Sequence, residues 1–364
     1  MTSHAAPQLI RPHVLGLRPV EHGSVAATEL APFGWRPADV LDFSVNTNPL
    51  GPAPAVLRAI QETDWTRYPG DDEMPLRNGL ARRAGVIPDE VALGNGSAEL
   101  LWLIALAVLE PKDRVIVLGP TFGEYARAAR SVGANVTEIQ MLGGLPPAHL
   151  VFVCNPNNPT GVLHSLEDIE RLLSEQPDRL LVLDEAYAAF ALGGWRSEPL
   201  LAKHRNLVIL RSLTKDHALP GLRLGYLLAA PEVARAVDAV RPPWSVNTGA
   251  LRAGLATLEP EADAHVDRAR TVVTAARELL TDGMIRLGYR VRPSAANFVL
   301  VDVGDGTAFR RALLPHGIIV RDCTSFGLPG YIRIACRLPG ECDKLLDVVR
   351  QLKSTGSLPR ASDR

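Results

Sequence analysis

Cysteine is scarce in this chain: four residues in 364, at 154, 323, 336 and 342, with no CxxC pair among them. That is too few for the disulfide scaffold of a secreted domain, so Cys154, Cys323, Cys336 and Cys342 are expected to be small buried apolar residues. A chain this long buries enough core to need neither disulfide nor metal for stability. An excess of charge of one sign is also missing. The formal net charge is −1, acids and bases are interspersed, and there is no basic run. Nucleic acid and anionic membrane are therefore not expected as partners, although a local basic pocket for a small anion stays open. Long apolar runs are absent too. Among the longest is Leu100–Leu109, too short to cross a bilayer, and the opening MTSHAAPQLIRPHVLG lacks the apolar stretch of a signal peptide. A cytoplasmic location is the resulting expectation. Finally, the nucleotide-binding motifs are incomplete. In Leu93-Gly-Asn-Gly-Ser-Ala-Glu-Leu100, Glu99 stands where a dinucleotide-binding turn needs its third glycine, and no GKS or GKT completes a Walker loop.

What is present is the composition of a globular protein, 46% hydrophobic and 22% charged, at a length that suggests about two domains. Residues 1–40 are rich in Pro, His and Gly, show little periodicity and read as an extended arm. From about 90 to 230, short apolar runs alternate with amphipathic stretches. The runs are Val115–Leu118, Val136–Ile139, Leu150–Cys154, Leu180–Leu183, Leu207–Leu210 and Leu224–Leu228; the helical candidates include Ala98–Leu109, Glu124–Val132 and Ser165–Ser174. This alternation predicts an α/β fold, a mainly parallel mixed sheet sandwiched by helices, over residues 41–248. Residues 249–364 read as a smaller α+β domain. It opens with a helical region over 249–287, broken at Glu259-Pro260. Strands are expected at Asn297–Val303, Ile318–Arg321 and Tyr331–Ala335, and helices at Ala308–Leu314 and Glu341–Leu352.

Four segments carry candidate chemistry, and each also has a purely structural reading. Asn155-Pro-Asn-Asn-Pro-Thr-Gly161 follows an apolar strand, where open α/β sheets bind ligands, but its residues are also turn formers. Its two X-Pro bonds would fix the loop, and either could be cis. Asp184 ends the apolar run Leu180–Leu183, so its carboxylate needs a cationic or hydrogen-bonding partner; otherwise it caps the next helix. Lys215, in Leu210-Arg-Ser-Leu-Thr-Lys215, is either an amine tuned by partial burial or an ordinary surface lysine. Ser212, Thr214 and Arg223 nearby could grip a phosphate. The glycine-rich turn at Gly94–Gly96 opens a helix whose first amides could bind a phosphate as well. Together these segments supply an amide, a carboxylate, an amine, an arginine and a helix N-terminus. One cofactor needs all of them: an aromatic aldehyde with a basic ring nitrogen and a phosphate.

In that ordered set, spanning roughly Leu41 to Arg337, the sequence resembles the fold-type-I enzymes dependent on pyridoxal 5′-phosphate (PLP), specifically the class I/II aminotransferase family. The resemblance implies that Lys215 holds PLP as a Schiff base and shuttles protons, and that Asp184 pairs with the ring N–H. It implies that Tyr187 and Asn158 bond the phenolic oxygen and that Phe122 stacks on the ring. Gly96, Ser97, Ala98, Ser212 and Arg223 would hold the phosphate. Tyr68 would reach a phosphate across the interface of a homodimer with shared sites. Arg333 and Arg321 resemble arginines that bind anionic substrate groups, which points to a phosphorylated amino acid or amine, with His22 and Asn46 as further substrate contacts.

Two branches of the family compete. His22-Gly23-Ser24, Phe43-Ser-Val-Asn-Thr-Asn-Pro-Leu-Gly51, Arg211-Ser-Leu-Thr-Lys215, Pro243-Trp-Ser-Val-Asn247 and Arg321-Asp-Cys-Thr-Ser-Phe326 resemble the cobalamin-pathway branch, L-threonine O-3-phosphate decarboxylase. On that resemblance a decarboxylating lyase is expected, with a histidinol-phosphate:2-oxoglutarate aminotransferase as the alternative. A PLP-fold regulator without activity is a third reading, opposed by the full set of cofactor residues. The same arginines would serve either reaction, because which bond breaks depends on which substituent of the substrate stands perpendicular to the cofactor ring.

Overall fold

The computed structural model describes residues 9–20, 23 and 26–359. His22 and Ser24 of the expected His-Gly-Ser contact lie outside the described residues. A two-residue strand, β1 (Leu41–Asp42), precedes the main sheet. That sheet has seven strands: β2 (Val91–Gly94), β3 (Arg114–Leu118), β4 (Asn135–Ile139), β5 (Leu150–Cys154), β6 (Leu180–Asp184), β7 (Leu207–Ser212) and β8 (Gly225–Ala229), in the order β2-β8-β7-β6-β5-β3-β4. Strands β4, β3, β5, β6 and β7 run parallel, whereas β8 is antiparallel to both its neighbours. No helix separates β7 from β8. The chain therefore re-enters the sheet beside the strand it has just left, pointing the other way, as strands without a crossover helix do.

The apolar runs that predict these strands are continuous because helices cover both faces. Alternate residues pack into separate cores. Val151, Val153, Leu181, Leu183, Leu207 and Ile209 join Leu76 and Leu80 of the helix Glu73–Ala84 on one face. Leu150, Phe152, Val182, Val208 and Leu210 join Leu100, Ile104 and Tyr125 of the helices Ser97–Val108 and Glu124–Ser131 on the other.

The chain beyond residue 249 contains β9 (Arg290–Arg292), β10 (Phe298–Asp302), β11 (Ile318–Ile319), β12 (Arg321–Asp322) and β13 (Tyr331–Ala335). An antiparallel sheet runs β12-β13-β10-β9, against which the helices Pro260–Arg286 and Pro339–Ser354 pack through Val273, Leu280, Leu345 and Val349. The helix break falls at the expected place: one helix ends at Ala256 and the next starts at Pro260. Pro is favoured there because its missing N–H would be unbonded anyway. The single strand expected over Ile318–Arg321 is divided. Ile318 and Ile319 pair with Leu41 and Asp42, while Arg321 pairs with Arg333. A pairing as short as that of β1 with β11 is set by a distant partner, so the local pattern does not predict β1; β2 and β9 are further strands that the apolar runs do not predict. No described helix is long and apolar enough to cross a membrane.

Candidate active site

Strands β5, β6 and β7 end side by side, with Cys154 opposite Asp184 and Asp184 opposite Leu210. The segments following them therefore converge at one edge of the sheet, around a cavity of about 500 Å³. Its lining includes Asn46, Ser97, Ala98, Phe122, Asn158, Asp184, Tyr187, Ser212, Lys215, Arg223, Arg321 and Arg333. Residues from all four sequence segments and from the C-terminal sheet thus meet in one place. Val20 and Gly23 of the N-terminal arm line it too.

Asp184 is 4% exposed and forms no ion pair among the described residues; its carboxylate accepts from the Tyr125 hydroxyl at 2.7 Å and from the Ala186 amide at 2.9 Å. Burial raises its pKa, against the lowering effect of those two donors and of Lys215. It does not cap the following short helix, whose N-cap is Tyr187. Lys215 is half-buried, and its ammonium is pushed down to about 8 by burial, then by the positive charges of Arg333 and Arg223, with Asp184 opposing. The Tyr187 hydroxyl is driven the other way, up to about 12, chiefly by burial. Asn46 faces that hydroxyl without a well-formed hydrogen bond: it is 2% exposed, and both polar atoms of its amide are unpaired.

The Asn155–Gly161 loop divides its amides between two tasks. Asn155 accepts from the His164 amide at 2.7 Å, and Asn157 accepts from Thr121 Oγ1 at 2.6 Å, so both stitch the loop together. Asn158 instead lines the cavity, where its Oδ1 accepts from Arg333. That contact leaves the Asn158 Nδ2 hydrogens to donate to another acceptor. Both Asn-Pro bonds of the loop are cis.

An anion cradle lies at the start of the helix Ser97–Val108. Gly96 has φ +81°, and a Cβ there would meet Arg223 Nη2 at 2.5 Å. Gly96 does not line the cavity itself; its lack of a side chain lets Arg223 lie across the helix N-terminus. Arg223 also holds a left-handed backbone, φ +62°, and donates to Pro220 O at 3.1 Å. Ser212 and Thr214 share a hydroxyl hydrogen bond of 2.8 Å beside it. Helix amides, two hydroxyls and a guanidinium match the donors that hold a phosphate.

Arg321 and Arg333 sit directly opposite each other on β12 and β13. Arg333 is 5% exposed, donates to Ser44 O at 2.7 Å, lies over the Phe298 ring and keeps its Nε unpaired. Arg321 donates to Ser325 Oγ at 2.7 Å and stacks over Phe326. Tyr68 is placed elsewhere. It is 79% exposed, outside the cavity lining, and stacks on Trp244 with ring centroids 4.5 Å apart. Sequence reasoning missed Tyr125, Ser44 and Ser325. Tyr125 lies in the first turn of the expected helix Glu124–Val132, three residues after Phe122, so its closeness to that residue was a usable signal.

The profile of the family described as Aminotransferase class I and II matches residues 38–349, and the chain belongs to this PLP-dependent family. The chain is 35% identical over 358 residues to histidinol-phosphate aminotransferase 2 of Pseudomonas aeruginosa, covering 94% of this chain and 96% of the relative. It is 36% identical to histidinol-phosphate aminotransferase of Symbiobacterium thermophilum, covering 87% and 92%. Among solved structures, histidinol-phosphate aminotransferase from Sinorhizobium meliloti in complex with pyridoxal-5′-phosphate aligns with a TM-score of 0.82 at 26% identity, over 96% of this chain and 100% of that one. L-threonine-O-3-phosphate decarboxylase from Porphyromonas gingivalis aligns with a TM-score of 0.78, also at 26% identity, over 86% and 100%.

The histidinol-phosphate aminotransferases at 35% and 36% identity overturn the expectation of a threonine-phosphate decarboxylase, and with it the lyase and cobalamin assignments. The segments that suggested it are uninformative about the reaction for a physical reason. Ser44, Val45, Asn46, Arg321, Ser325 and Phe326 all line the same cavity, so they report its shape rather than the bond that breaks there. Trp244 of Pro243–Asn247 is 58% exposed and stacked on Tyr68, away from the cavity altogether.

Proposed function

We propose that this chain is an aminotransferase of the histidinol-phosphate:2-oxoglutarate type, acting on a phosphorylated amine. The relatives at 35% and 36% identity carry the choice of reaction, and the in-register pair Arg321 and Arg333 supports the phosphorylated substrate. Like charges directly opposite each other weaken a sheet, so two guanidinium groups lining one cavity favour a ligand with two negative charges. A phosphomonoester has them, as does the amino acceptor, a dicarboxylate.

The donor set fits PLP: a cradle that a side chain at Gly96 would fill, an unpaired buried amide at Asn46 and a buried carboxylate with no ion pair among the described residues. Asp184 would hold the ring nitrogen, and Phe122 would lie on the ring. Asn158 and Tyr187 would donate to the phenolic oxygen. Gly96, Ser97, Ala98, Ser212 and Arg223 would hold the phosphate. When bound, PLP supplies an electron-withdrawing ring for the charge that develops at the substrate α-carbon.

Lys215 Nζ would hold the cofactor through its aldehyde carbon, and as a free amine it would take and return a proton at the substrate α-carbon. Its lowered proton affinity suits a general base working near neutral pH. Arg333 holds one anionic group while its grip on Asn158 keeps that amide aimed. Arg321 holds the other, braced by Ser325 and Phe326. Asn46 offers its unpaired amide to the substrate.

Residues 41–248 form the cofactor-binding domain in this reading, 249–364 the small domain, and 1–40 the arm. The exposed Tyr68–Trp244 stack supports a homodimer in which Tyr68 reaches its partner's phosphate, and we assign the enzyme to the cytoplasm.

The test is to incubate purified holoenzyme with histidinol phosphate and 2-oxoglutarate and to measure glutamate. One glutamate should form per amine consumed, and histidinol lacking the phosphate should react at least about tenfold more slowly, since charge-assisted contacts are lost. No glutamate overturns the reading, and equal rates for the two amines overturn the role of the phosphate.

A further inference from the structure

Tyr125 is a tyrosine to which none of the expected roles attaches. It is 1% exposed, in the first turn of the helix Glu124–Ser131. Its ring is fixed on two sides, stacked on Phe152 at 5.3 Å and 15° and meeting Phe122 edge-on at 5.7 Å. Its hydroxyl donates to Asp184 Oδ2 at 2.7 Å. A buried phenol needs a partner for its O–H, and a serviceable acceptor would suffice for stability alone. Here the acceptor is the carboxylate that faces the cofactor site, and the same ring touches the residue expected against the cofactor's face.

We propose that Tyr125 is a positioning residue for the cofactor: its hydroxyl holds Asp184 as a carboxylate, so that the proton shared with the cofactor's ring nitrogen stays on the nitrogen. The inference rests on the reading of Asp184 as the partner of that nitrogen. Its physics is a competition for one proton. In a low-dielectric site, a carboxylate and a protonated pyridine can collapse to a neutral pair by moving the proton to oxygen. A donor aimed at the carboxylate stabilises only the ionised form. The other groups that bear on Asp184 are the Ala186 amide, which also favours ionisation, Lys215, which does the same as a cation, and Glu185, which opposes it. Cys154 lies beside both Tyr125 and Asp184 as a neutral thiol, its pKa pushed up to about 12 by burial. Of the uncharged side chains, Tyr125 is the one seen donating to Asp184 among the described hydrogen bonds.

The test compares wild type, Tyr125→Phe and Asp184→Asn, each reconstituted with PLP carrying nitrogen-15 in the ring, at one pH. The ring-nitrogen resonance should lie at the protonated position in wild type and move toward unprotonated pyridine in Tyr125→Phe. In parallel, the ratio of dissociation constants for PLP and for its analogue with carbon in place of the ring nitrogen is measured. Wild type should prefer the nitrogen ring, and Tyr125→Phe should lose about tenfold of that preference, the worth of one hydrogen bond to a charged group. A structural role alone would weaken both cofactors equally and leave the ratio unchanged. An unchanged resonance and ratio in Tyr125→Phe, with both altered in Asp184→Asn, overturns the proposal while keeping the reading of Asp184. If Asp184→Asn also changes neither, the reading of Asp184 itself falls. Both measurements are independent of the amine substrate. Should Tyr125→Phe fail to bind cofactor, 3-fluorotyrosine at position 125, a stronger donor of the same shape, should raise the preference for the nitrogen ring, and an unaltered or lower preference overturns the proposal.

Discussion

Lys215 shows how little one residue announces by itself. In sequence it is one lysine following a strand; in the fold, two guanidinium groups and burial outweigh Asp184 and bring its pKa down to about 8. The sign of the consequence is definite. Only the neutral amine attacks an aldehyde, so the rate at which the apoprotein captures PLP should rise with pH and level off above about 8. An ordinary lysine would carry the rise to about 10.4. Stopped-flow absorbance across pH 6 to 10, as a rough window around those values, measures this. Replacing Arg333 by Met removes the larger of the two charge contributions, so the plateau should move upward; a plateau that stays put would show burial acting alone. Lys215→Ala should retain no cofactor after borohydride treatment, and retention on another lysine would refute the assignment.

At the scale of elements, the site is a product of where strands stop. Strand β8 returns antiparallel to β7, and this brings Gly225 beside both Ser212 and Gly94. A Cβ on Gly225 would meet the Ser97 amide nitrogen at 2.5 Å, Gly96 C at 2.9 Å and Arg211 O at 3.0 Å, all of them backbone. Gly225→Ala should therefore push the first turn of the helix Ser97–Val108 away from the sheet. The expected costs are about 1–3 kcal/mol of stability from overpacking and weaker PLP binding, because the same turn belongs to the proposed phosphate cradle. Thermal unfolding of the apoprotein and equilibrium dialysis of PLP would register the two losses separately; unchanged affinity would remove that turn from the cradle. The central parallel strands β3, β5, β6 and β7 were legible because each carries a continuous apolar run of four or five residues. The two-residue strand β1 was not, and neither was the split of the expected strand Ile318–Arg321 into β11 and β12, since nothing local marks a pairing between residues some 280 positions apart, such as Leu41 and Ile318.

At the scale of the whole molecule, the proposed homodimer makes a separable prediction. Tyr68 would act in its partner's site and Lys215 in its own. Tyr68→Ala and Lys215→Ala should each be impaired as pure proteins, yet mixing them with subunit exchange should restore a substantial share of activity, because the mixed dimer contains one site with both residues intact. Assay after dilution and remixing, with sedimentation to confirm two-chain particles, decides it. No recovery on mixing would place Tyr68 outside the shared site, where its exposed stack on Trp244 already lies in the single chain.

By itself, the sequence determined the layers, the cofactor and the chemical types around it. Apolar periodicity and motif order are local properties, so Asn158, Asp184, Lys215 and Arg223 could be named along the chain. The tertiary structure decided which charges face each other. Tyr125 meets Asp184 across 59 positions, and Arg333 holds Asn158 across 175. Such contacts depend on the register of distant strands and on burial, which no short stretch of residues encodes. The same limit explains the misreading of the reaction: motifs name the groups that bind an anion, but which bond breaks depends on the pose of a substrate among them.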